Sequence, residues 1–508
     1  MDQSKTNVGT FSPGVKSAML LIAPLLAVAV YFLLPTQYVN PSGETVAFTH
    51  AGRACIAIVL LMALWWFTEA VPIAVTALLP IFLFPMLHVS TAAQAMAPYA
   101  SGTIFLFLGG FLIAAAVQRW GLDRRIALTT LRIVGTGPDS IVAGLMIATA
   151  FISMWVSNTA TAAMMVPIAV AVLQVVRDRT GGEITDGEKN FAICVLLAIA
   201  YGSSIGGMGT IIGSPPNGIY TRFVEQTYGD QVTLLDWMKV GMPVTLLLLP
   251  AAWLILTKVL FRNTISEVRG GAEWVKEELG RMGPLSTGEK RVTYVFLLAV
   301  ILWSFGPLIR DIEIAGIEPF KPMTDAVVAM VCGVLLFCVP VNLKKGIRVL
   351  TWRDCESISW DVLLLFGGGL SMAAALQSTG SGGLIGAQAV ALAGAPTWLV
   401  VVGICALVVF VTNFTSNTPL AATMMPLLAS VAPVLGIPSE TLLLTTALSA
   451  SAAFMMPVGT PPNAIIFGTG RITIMQMVKA GLVLNVAAII IISAVTLFFN
   501  SSFVAAIQ

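Results

Sequence analysis

The sequence predicts an all-α protein that crosses a membrane many times and consists of two repeated halves. Of its 508 residues, 57% are hydrophobic and only 10% are charged, and the mean hydropathy is +0.91. A soluble domain carries about 25% charged residues. The tripeptide Ser-Asn-Thr begins at Ser157 and again at Ser416, each time inside an apolar run. The composition indicates a polytopic membrane protein, and the recurring tripeptide indicates an internal duplication.

The apolar runs set the number of membrane spans. A spanning helix needs about 20 apolar residues, so the chain has room for roughly ten to twelve of them. The run from Ala18 to Leu34 is long for a signal sequence, and we interpret it as the first membrane helix, entered from the cytoplasm. The predicted spans are 18–35, 54–69, 72–88, 141–156, 159–176, 190–212, 243–261, 293–309, 325–340, 397–414, 419–433, 441–457 and 481–499. The net charge of +2 gives no reason to expect a nucleic-acid partner.

The internal repeat keeps an offset of 259 positions (157 to 416) over much of its length. At this offset a glycine pair at Gly109 matches one at Gly368, and Pro167 matches Pro426. Duplicated halves are typical of secondary transporters, in which the binding site lies near the membrane midplane between the repeats. The halves are inverted if each has an odd number of crossings, and we expect this arrangement.

A second pair of motifs recurs at a shorter offset. Gly-Ser-Pro-Pro-Asn at 213–217 pairs with Gly-Thr-Pro-Pro-Asn at 459–463, an offset of 246 (215 to 461). The first half therefore carries 13 extra residues (259 against 246), which we assign to the polar stretch 177–190. The charged linker 262–291 is compatible with either an amphipathic helix or a solvated loop.

These landmarks divide the chain into five predicted segments. They are an N-terminal helix with the helices before the first motifs, the first motif-bearing elements (candidate transport elements), a linker with the helices before the second motifs, the second candidate transport elements and a C-terminal helix. Their bounds are 1–99, 100–235, 236–357, 358–475 and 476–508.

A glycine-rich apolar piece occurs in each half, from Phe105 to Arg119 and from Leu363 to Gln377. Both pieces are short for a span, and glycine permits a tight turn or a close backbone approach. We predict a re-entrant helical hairpin in each half. An ordinary helix that uses glycine for close packing explains the same pattern equally well.

Each half also contains a helix break at a proline pair. Pro215-Pro216 and Pro461-Pro462 follow long apolar runs, and proline both lacks a backbone donor and clashes with the preceding turn. Such a break frees backbone carbonyl and N–H groups. These are tolerated at membrane depth only where they line a cavity or are buried in protein.

The chemistry available at these motifs is neutral. No charged residue occurs from 151 to 176 or from 399 to 438. Backbone carbonyls at helix ends suit a hard monovalent cation such as sodium, whereas hydroxyls, carboxamides and helix N-termini suit an anion. An anion in a neutral, poorly solvated site is costly unless cations accompany it. The pattern therefore favours cotransport of an anion with cations over transport of the anion alone.

Paired Ser-Asn-Thr triplets, two Pro-Pro-Asn breaks and two glycine-rich pieces resemble the divalent anion–sodium symporter family, from about Arg53 to the C-terminus. This family includes bacterial and animal carriers of dicarboxylates, citrate and sulfate. The resemblance implies a homodimer in a plasma membrane, the inner membrane in bacteria. It implies about eleven transmembrane helices and two re-entrant hairpins in each protomer, with an elevator movement of a transport domain against a scaffold. It implies sodium as the cotransported ion and no organic cofactor.

The resemblance also carries over residue roles. It implies one sodium ion among Ser153, Ser157, Asn158 and Gly213, and a second among Thr412, Thr415, Asn417 and Gly459. It implies that the substrate carboxylates contact Ser157, Asn158, Thr159, Ser214, Ser416, Asn417, Thr418, Thr460 and Pro461. Ser153 and Thr412 are repeat mates at the offset of 259, which supports this assignment from the sequence itself.

Several alternatives bear on this reading. A sodium-independent exchanger of dicarboxylate or citrate would use the same site, and a proton-coupled carrier is a further possibility. An intramembrane enzyme would need a nucleophile with a base or metal ligands, and the in-membrane serines lack histidine partners. A two-fold repeat without a ring of charges disfavours a channel. We expect a C4 dicarboxylate such as succinate as the substrate, and scaffold ion pairs or interfacial anchoring for Glu69, Asp325 and Asp361.

Overall fold

The computed structural model describes residues 12–39, 44–180, 185–262, 265, 271–310, 312–314, 317–388 and 394–507. Parts of the predicted insertion (181–184) and of the linker (263–264 and 266–270) lie outside these residues. Within the described ranges the chain is helical apart from loops and two short antiparallel strand pairs. This confirms the predicted all-α class.

The first half of the chain begins with a long N-terminal helix and ends with a long helix that leads into the linker. Its elements are α1 (Pro13–Leu33), β1 (Gln37–Val39), β2 (Thr45–Ala47), α2 (His50–Thr68), α3 (Ile73–Thr76), α4 (Leu79–Met86), α5 (Ala92–Met96), a 3₁₀ turn (Ala97–Ala100), α6 (Gly102–Arg119), α7 (Leu122–Val134), α8 (Pro138–Ser153), α9 (Asn158–Thr180), α10 (Asp186–Met208), α11 (Pro215–Tyr228), α12 (Leu234–Leu254) and a π-helical continuation (Ile255–Leu260).

The second half follows the linker helix and ends with a long C-terminal helix. Its elements are α13 (Gly271–Met282), α14 (Thr287–Arg310), α15 (Asp325–Cys338), β3 (Pro340–Asn342), β4 (Ile347–Arg348), a 3₁₀ turn (Trp352–Ser357), α16 (Trp360–Ser378), α17 (Ser381–Gln388), α18 (Thr397–Thr412), α19 (Asn417–Leu435), α20 (Ser439–Ala450), α21 (Pro461–Gly468) and α22 (Ile474–Ile507).

Local sequence signals explain where these helices begin. Pro138, Pro215 and Pro461 stand in the first turns of α8, α11 and α21, where their missing N–H would have no helical partner. Capping boxes at Thr185 and Thr233 open α10 and α12. Of the described helices, nine are long and apolar enough to cross a membrane, and shorter apolar helices lie beside them.

Two helical hairpins are present, but not at the predicted position. The glycine-rich pieces form the uninterrupted helices α6 and α16, so the hairpin prediction for Phe105–Arg119 and Leu363–Gln377 was wrong in place. The close-packing alternative is confirmed. A Cβ on Gly109 would overlap the backbone of Ala329 on α15, and one on Gly368 would overlap the backbone of Ala77. Glycine is needed there because the helices approach backbone to backbone.

The hairpins lie instead at the Ser-Asn-Thr triplets. The helices α8 and α9, predicted as two spans, pack against each other and are joined by only four residues, 154–157. Ile141 near the start of α8 and Val172 near the end of α9 line one cavity, so the chain returns to the face from which it entered. In the second half the two arms of the hairpin are α18 and α19. The helix α17, which precedes α18, packs on the C-terminal part of α19. At this contact a Cβ on Gly386 would touch the carbonyl of Ser430.

The two halves are inverted relative to each other. Phe107 on α6 and Phe366 on α16 are repeat mates, and their rings meet edge to face with centroids 4.7 Å apart. Arg119, at the end of α6, donates to Asp354 at 2.6 Å, and Asp354 precedes the start of α16. The end of one helix therefore lies at the face where its mate begins. The halves also interlock, because α6 packs on α15 of the second half and α16 packs on α3 of the first.

Ion pairs fix the helix ends, as predicted for two of the acidic residues. Glu69 pairs with Lys16 at 3.2 Å, and Asp325 pairs with Arg310 at 2.7 Å while accepting from the backbone of Leu234. The charged linker contains the amphipathic helix α13, where Glu278 pairs with Arg124 of α7 at 2.5 Å. The helical interpretation of this linker is confirmed for 271–282.

Candidate functional site

Four helix interruptions form the candidate site. In the first half, α8 and α9 meet at residues 153–158, here called the first tip, and α10 and α11 are separated by residues 209–214, the first break. The second half repeats this with the second tip, 412–417, and the second break, 451–460. Each tip joins the C-terminal end of one helix to the N-terminal end of the next. Partial negative and partial positive charge therefore lie side by side.

Three oxygen atoms converge on the Asn158 carboxamide in the first tip. With the Asn158 nitrogen facing them, Ser153 Oγ lies 2.6 Å from it, the Ser203 carbonyl oxygen 3.0 Å and the Gly213 carbonyl oxygen 3.1 Å, and its two N–H groups are shared among these three acceptors. Ser153 and Gly213 are buried, and Asn158 is half-buried. The first tip, α10 and the first break thus supply oxygens around one point. Such a cluster is the ligand type that hard cations take.

The second tip holds a corresponding cluster. The Thr412 hydroxyl lies 2.7 Å from Asn417 Oδ1 and 2.8 Å from the Ala450 carbonyl at the end of α20. A hydroxyl has a single proton, so it can donate to only one of these two oxygens. Thr412 and Asn417 are the repeat mates of Ser153 and Asn158, and the contact between hydroxyl and carboxamide recurs at almost the same length, 2.6 Å in the first tip and 2.7 Å in the second. The duplication therefore preserves an oxygen cluster as well as a sequence motif.

The asparagine after each proline pair fixes its break. Asn217 Nδ2 donates to the carbonyls of Gly207 at 2.9 Å and Thr210 at 2.8 Å. Asn463 Nδ2 donates to the carbonyls of Ala453 and Met456, both at 3.0 Å. Gly207 and Thr210 match Ala453 and Met456 at the offset of 246, so the two bonds are the same in both halves. Both asparagines are fully buried, and each compensates two carbonyls that the broken helix leaves without a partner.

Glycine is required where each break meets its tip. A Cβ on Gly213 would lie 2.7 Å from the Gly207 carbonyl oxygen and 2.9 Å from that of Ser153. A Cβ on Gly459 would lie 2.9 Å from the Asn413 carbonyl oxygen. Because all these atoms belong to the backbone, no side chain can rotate away to make room. The missing Cβ lets the carbonyl of Gly213 reach the oxygen cluster.

Each tip is also tethered to the break of its own half. In the first half Thr210 Oγ1 donates to the carbonyl of Met154. In the second half the residue matching Met154 is Asn413, and its Oδ1 accepts from the backbone N–H of Met455 at 2.7 Å. The tethers thus differ in chemistry although they join corresponding segments.

At the site, helices of each half pack on helices of the other half. The helix α9, which begins at the first tip, packs on α21, which begins after the second break. Likewise α11, which begins after the first break, packs on α19, which begins at the second tip. Ser214 Oγ lies 2.8 Å from Ser451 Oγ and joins the two breaks directly. Four helix N-termini therefore belong to one interlocked unit, and N-terminal N–H groups favour anions.

The predicted substrate residues differ in accessibility. Ser157, Asn158, Ser416 and Asn417 are half-buried, and Thr159 and Pro461 are exposed. Three others, Ser214, Thr418 and Thr460, are buried.

Two hydroxyls near the tips already have partners. Ser157 Oγ accepts from the backbone N–H of Ala160 at 3.4 Å and caps α9. Thr415 Oγ1 donates to the carbonyl of Val411 at 3.2 Å, so its hydroxyl is turned back onto α18 rather than toward Thr412.

Some members of the clusters escaped prediction from the sequence. The carbonyls of Ser203 and Ala450 belong to the broken helices α10 and α20, and a backbone carbonyl has no residue-type signature. The partner of Ser214, Ser451, follows the end of α20 and has no counterpart at the matching position, Ile205. A repeat-based prediction could not have found Ser451.

Comparison with known proteins gives a consistent result over the whole chain. The family model described as the sodium:sulfate symporter transmembrane region matches residues 16–504. The sodium-dependent dicarboxylate transporter SdcS of Staphylococcus aureus (strain NCTC 8325 / PS 47) is 38% identical over 479 residues, covering 94% of this chain and 90% of that protein. SdcS of Staphylococcus saprophyticus is 36% identical over 481 residues, with the same coverage of 94% and 90%.

One solved structure is similar along nearly the entire chain. The YdaH transporter of Alcanivorax borkumensis aligns with a TM-score of 0.59 and 14% identity, covering 96% of this chain and 97% of that one. At this level of identity the similarity bears on the fold alone.

Proposed function

The chain belongs to the sodium:sulfate symporter family and is therefore a transporter rather than an enzyme, and from this premise we propose that it carries a C4 dicarboxylate such as succinate together with sodium ions. The observation that supports this most directly is the pair of oxygen clusters at Asn158 and Asn417. Relatives with 36% and 38% identity are sodium-dependent dicarboxylate transporters, which supports both the ion and the substrate class.

The geometry suggests how the ions are held. One sodium would take Ser153 Oγ, the carbonyls of Gly213 and Ser203, and the Asn158 carboxamide, turned to present its oxygen. The second would take Thr412 Oγ1, the Asn417 carboxamide and the Ala450 carbonyl. We keep Ser157 and Gly459 as further ligands through their backbone, and Thr415 only through its carbonyl, because its hydroxyl bonds to Val411.

The dianion would lie between the two tips. The half-buried residues Ser157, Asn158, Ser416 and Asn417 offer hydroxyl and amide groups beside the N-termini of α9 and α19. Ser214, Thr460 and Pro461 border the breaks, and Thr159 and Thr418 complete the triplets. These side chains are all uncharged, so two negative charges would be uncompensated without the sodium ions. Cation binding first and anion binding second is the order that this electrostatic argument favours.

The moving part of an elevator would contain both hairpins and both broken helices. We assign α6 to the scaffold because it packs mainly on α15 of the other half, which does not carry a site motif, and we assign its repeat mate α16 with it, although α16 contacts α19 and α11 as well as α3. The proposed moving part is therefore smaller than the predicted transport segments 100–235 and 358–475, because those segments include α6 and α16.

We also propose a homodimer in a bacterial inner membrane, with the N-terminus in the cytoplasm. Arg119, Arg124, Arg125 and Arg132 lie at and beyond the end of α6, and an excess of such charges marks the cytoplasmic side.

Uptake into proteoliposomes tests the proposal. We expect radiolabelled succinate to accumulate under an inward sodium gradient and not under equimolar choline, and the accumulation to be lost in Asn158→Ala and in Asn417→Ala. Uptake that ignores sodium but requires internal dicarboxylate would establish the exchanger instead. Absence of flux for succinate, malate and fumarate in both conditions would refute a dicarboxylate carrier.

A further inference from the structure

A cavity of about 300 Å³ lies beside α11, separate from the tips and breaks. Its walls are α11, α16 and the segment of α5 with its 3₁₀ turn. The polar groups in its lining are Ser90, Gln94, Arg222, Gln226, Ser371 and Ser378, and alanines and one proline complete it. A volume of this size accommodates a small organic acid.

Arg222 is the one charged residue among the described residues that line this cavity. Its Nη1 donates to Glu225 Oε2 at 2.7 Å, one turn further along α11. Its Nε is buried and has no hydrogen-bond partner among the described residues. The Nε edge of a guanidinium is one of the two that bind a carboxylate through paired N–H groups. Arg222 thus has an N–H group without a partner and lies beside a cavity whose other polar groups are neutral.

The position of Arg222 relates this cavity to the transport site. It lies seven residues after Pro215, which corresponds to about 10 Å along α11 from the first break. Its neighbours Thr221 and Glu225 line a second cavity together with Gly102, at the start of α6. The arginine cluster around Arg119 lies at the other end of α6, on the cytoplasmic side by the positive-inside rule. The Arg222 cavity therefore lies on the outer side of the site.

We propose that the Arg222 cavity is a second binding site, for a small carboxylate, which holds the anion at the outer side without sodium. The transport site lacks a cationic side chain and depends on sodium for charge compensation, whereas this cavity has in its lining a guanidinium that is shared with Glu225. Besides Arg222, Gln226 provides an amide donor for a carboxylate, whereas the hydroxyl protons of Ser371 and Ser378 are donated to backbone carbonyls. The identity of the anion rests on the proposed function, since the carboxylate would be the transported one.

Binding in the absence of sodium tests the proposal directly. Purified full-length protein in choline buffer is titrated with succinate by calorimetry, next to Arg222→Gln, Glu225→Gln and a control, Lys239→Gln. Like Arg222, Lys239 is a cationic residue that pairs with a carboxylate three residues away on its own helix, here Asp236 at 2.8 Å. It does not line the cavity. Sodium-dependent thermal stabilisation of each variant checks that the transport site is folded.

The Glu225 variant separates a binding role of Arg222 from a structural one. If Arg222 binds the anion, Arg222→Gln weakens sodium-free binding about tenfold or more, because a charge-assisted hydrogen bond is lost. Glu225→Gln then strengthens binding, since a competing carboxylate has gone, and Lys239→Gln leaves it unchanged. If the ion pair merely stabilises α11, Arg222→Gln and Glu225→Gln have the same effect, and the proposal fails.

Two further outcomes bear on the same proposal. Absence of sodium-free binding in the unmodified protein overturns it, even if sodium-driven uptake is intact. Sodium-free binding that Arg222→Gln abolishes supports it, even if uptake shows an exchanger. Should Arg222→Gln not fold, Arg222→Lys keeps the charge without the fork of donors, and we expect binding weaker than in the unmodified protein by severalfold. Equal binding in Arg222→Lys and the unmodified protein would contradict recognition through the Nε edge.

Discussion

Replacement of Gly213 by alanine tests whether the first break delivers its carbonyl to a sodium ion. The new Cβ would lie 2.7 Å from the Gly207 carbonyl oxygen, 2.8 Å from Gly207 Cα and 2.9 Å from the Ser153 carbonyl oxygen. All three distances are below the van der Waals contact of about 3.5 Å for carbon atoms. The first break must therefore move away from Gly207 at the end of α10 and from the first tip, and it takes the Gly213 carbonyl with it.

The two breaks differ in how much they must move. At Gly459 the nearest atoms would be at 2.9, 3.0 and 3.2 Å, all from Asn413. Overpacking costs about 1 to 3 kcal/mol, and we assign the upper end to Gly213 and the lower end to Gly459. In sodium affinity these correspond to roughly a hundredfold and roughly a fivefold loss. Gly403, within α18, has open space around its Cβ position and serves as the control.

The assay is the sodium concentration that gives half-maximal succinate uptake, measured in proteoliposomes for the three alanine variants. We expect a large increase for Gly213→Ala, a small one for Gly459→Ala and none for Gly403→Ala. Gly403→Ala should also be slightly more stable to heat, because alanine favours a helix over glycine by about 1 kcal/mol. An unchanged sodium dependence in Gly213→Ala, or equal increases in all three variants, would refute the reasoning.

Three further substitutions give distinct results. Asn158→Asp should keep or strengthen sodium binding, measured as sodium-dependent thermal stabilisation, while abolishing succinate uptake, because a carboxylate attracts the cation and repels the dianion; parallel loss of both would contradict separate roles. Asn217→Leu and Asn463→Leu should each lower the melting temperature, since two buried carbonyls lose their donor at about 1 to 3 kcal/mol each; a melting curve like that of the unmodified protein would argue against it. Burial raises the pKa of Asp123, on the surface helix α7, to about 6. The contribution of Asp123 to the free energy of unfolding is therefore fully present below about pH 4 and is lost as the pH rises through 6. Asp123→Asn should raise the melting temperature at pH 7.5 but not at pH 4. Equal increases at both pH values would exclude burial of the charged carboxylate as the cause.

The duplicated motifs predicted pairs of polar residues that the structure brings together, whereas the hairpins that carry these residues were predicted in the wrong segments. Residues such as Ser153 and Asn158, or Thr412 and Asn417, could be paired by position alone, and a contact between hydroxyl and carboxamide recurs in both halves. The hairpins were assigned to the wrong segments because glycine permits both a turn and a close helix contact. Only the partner distinguishes the two, and the partner of Gly109 is the backbone of Ala329, more than two hundred residues away. Nothing in the local sequence records that contact.

The length of the apolar runs also led to a wrong prediction, that of two separate spans where the structure has one hairpin. The segments 141–156 and 159–176 each resemble a short span, and periodicity cannot tell a crossing helix from one arm of a hairpin. The deciding feature is that the start of α8 and the end of α9 lie at one face, which Ile141 and Val172 show by lining one cavity. Backbone members of the oxygen clusters, such as the Ser203 carbonyl, could not be predicted for a different reason, since every residue has a backbone carbonyl.

The exchange of partners between halves has a mechanical consequence for coupling. Because α9 packs on α21 and α11 packs on α19, an ion that orders one tip also constrains the helix that begins at the break of the other half. The Ser214–Ser451 hydrogen bond joins the breaks themselves. The two proposed ion sites would therefore not be independent, and occupation of one would lower the conformational entropy that the second must still lose. The dianion, lying between the tips, would meet an ordered set of donors only when both clusters are filled, which is the condition for tight coupling of anion to cations.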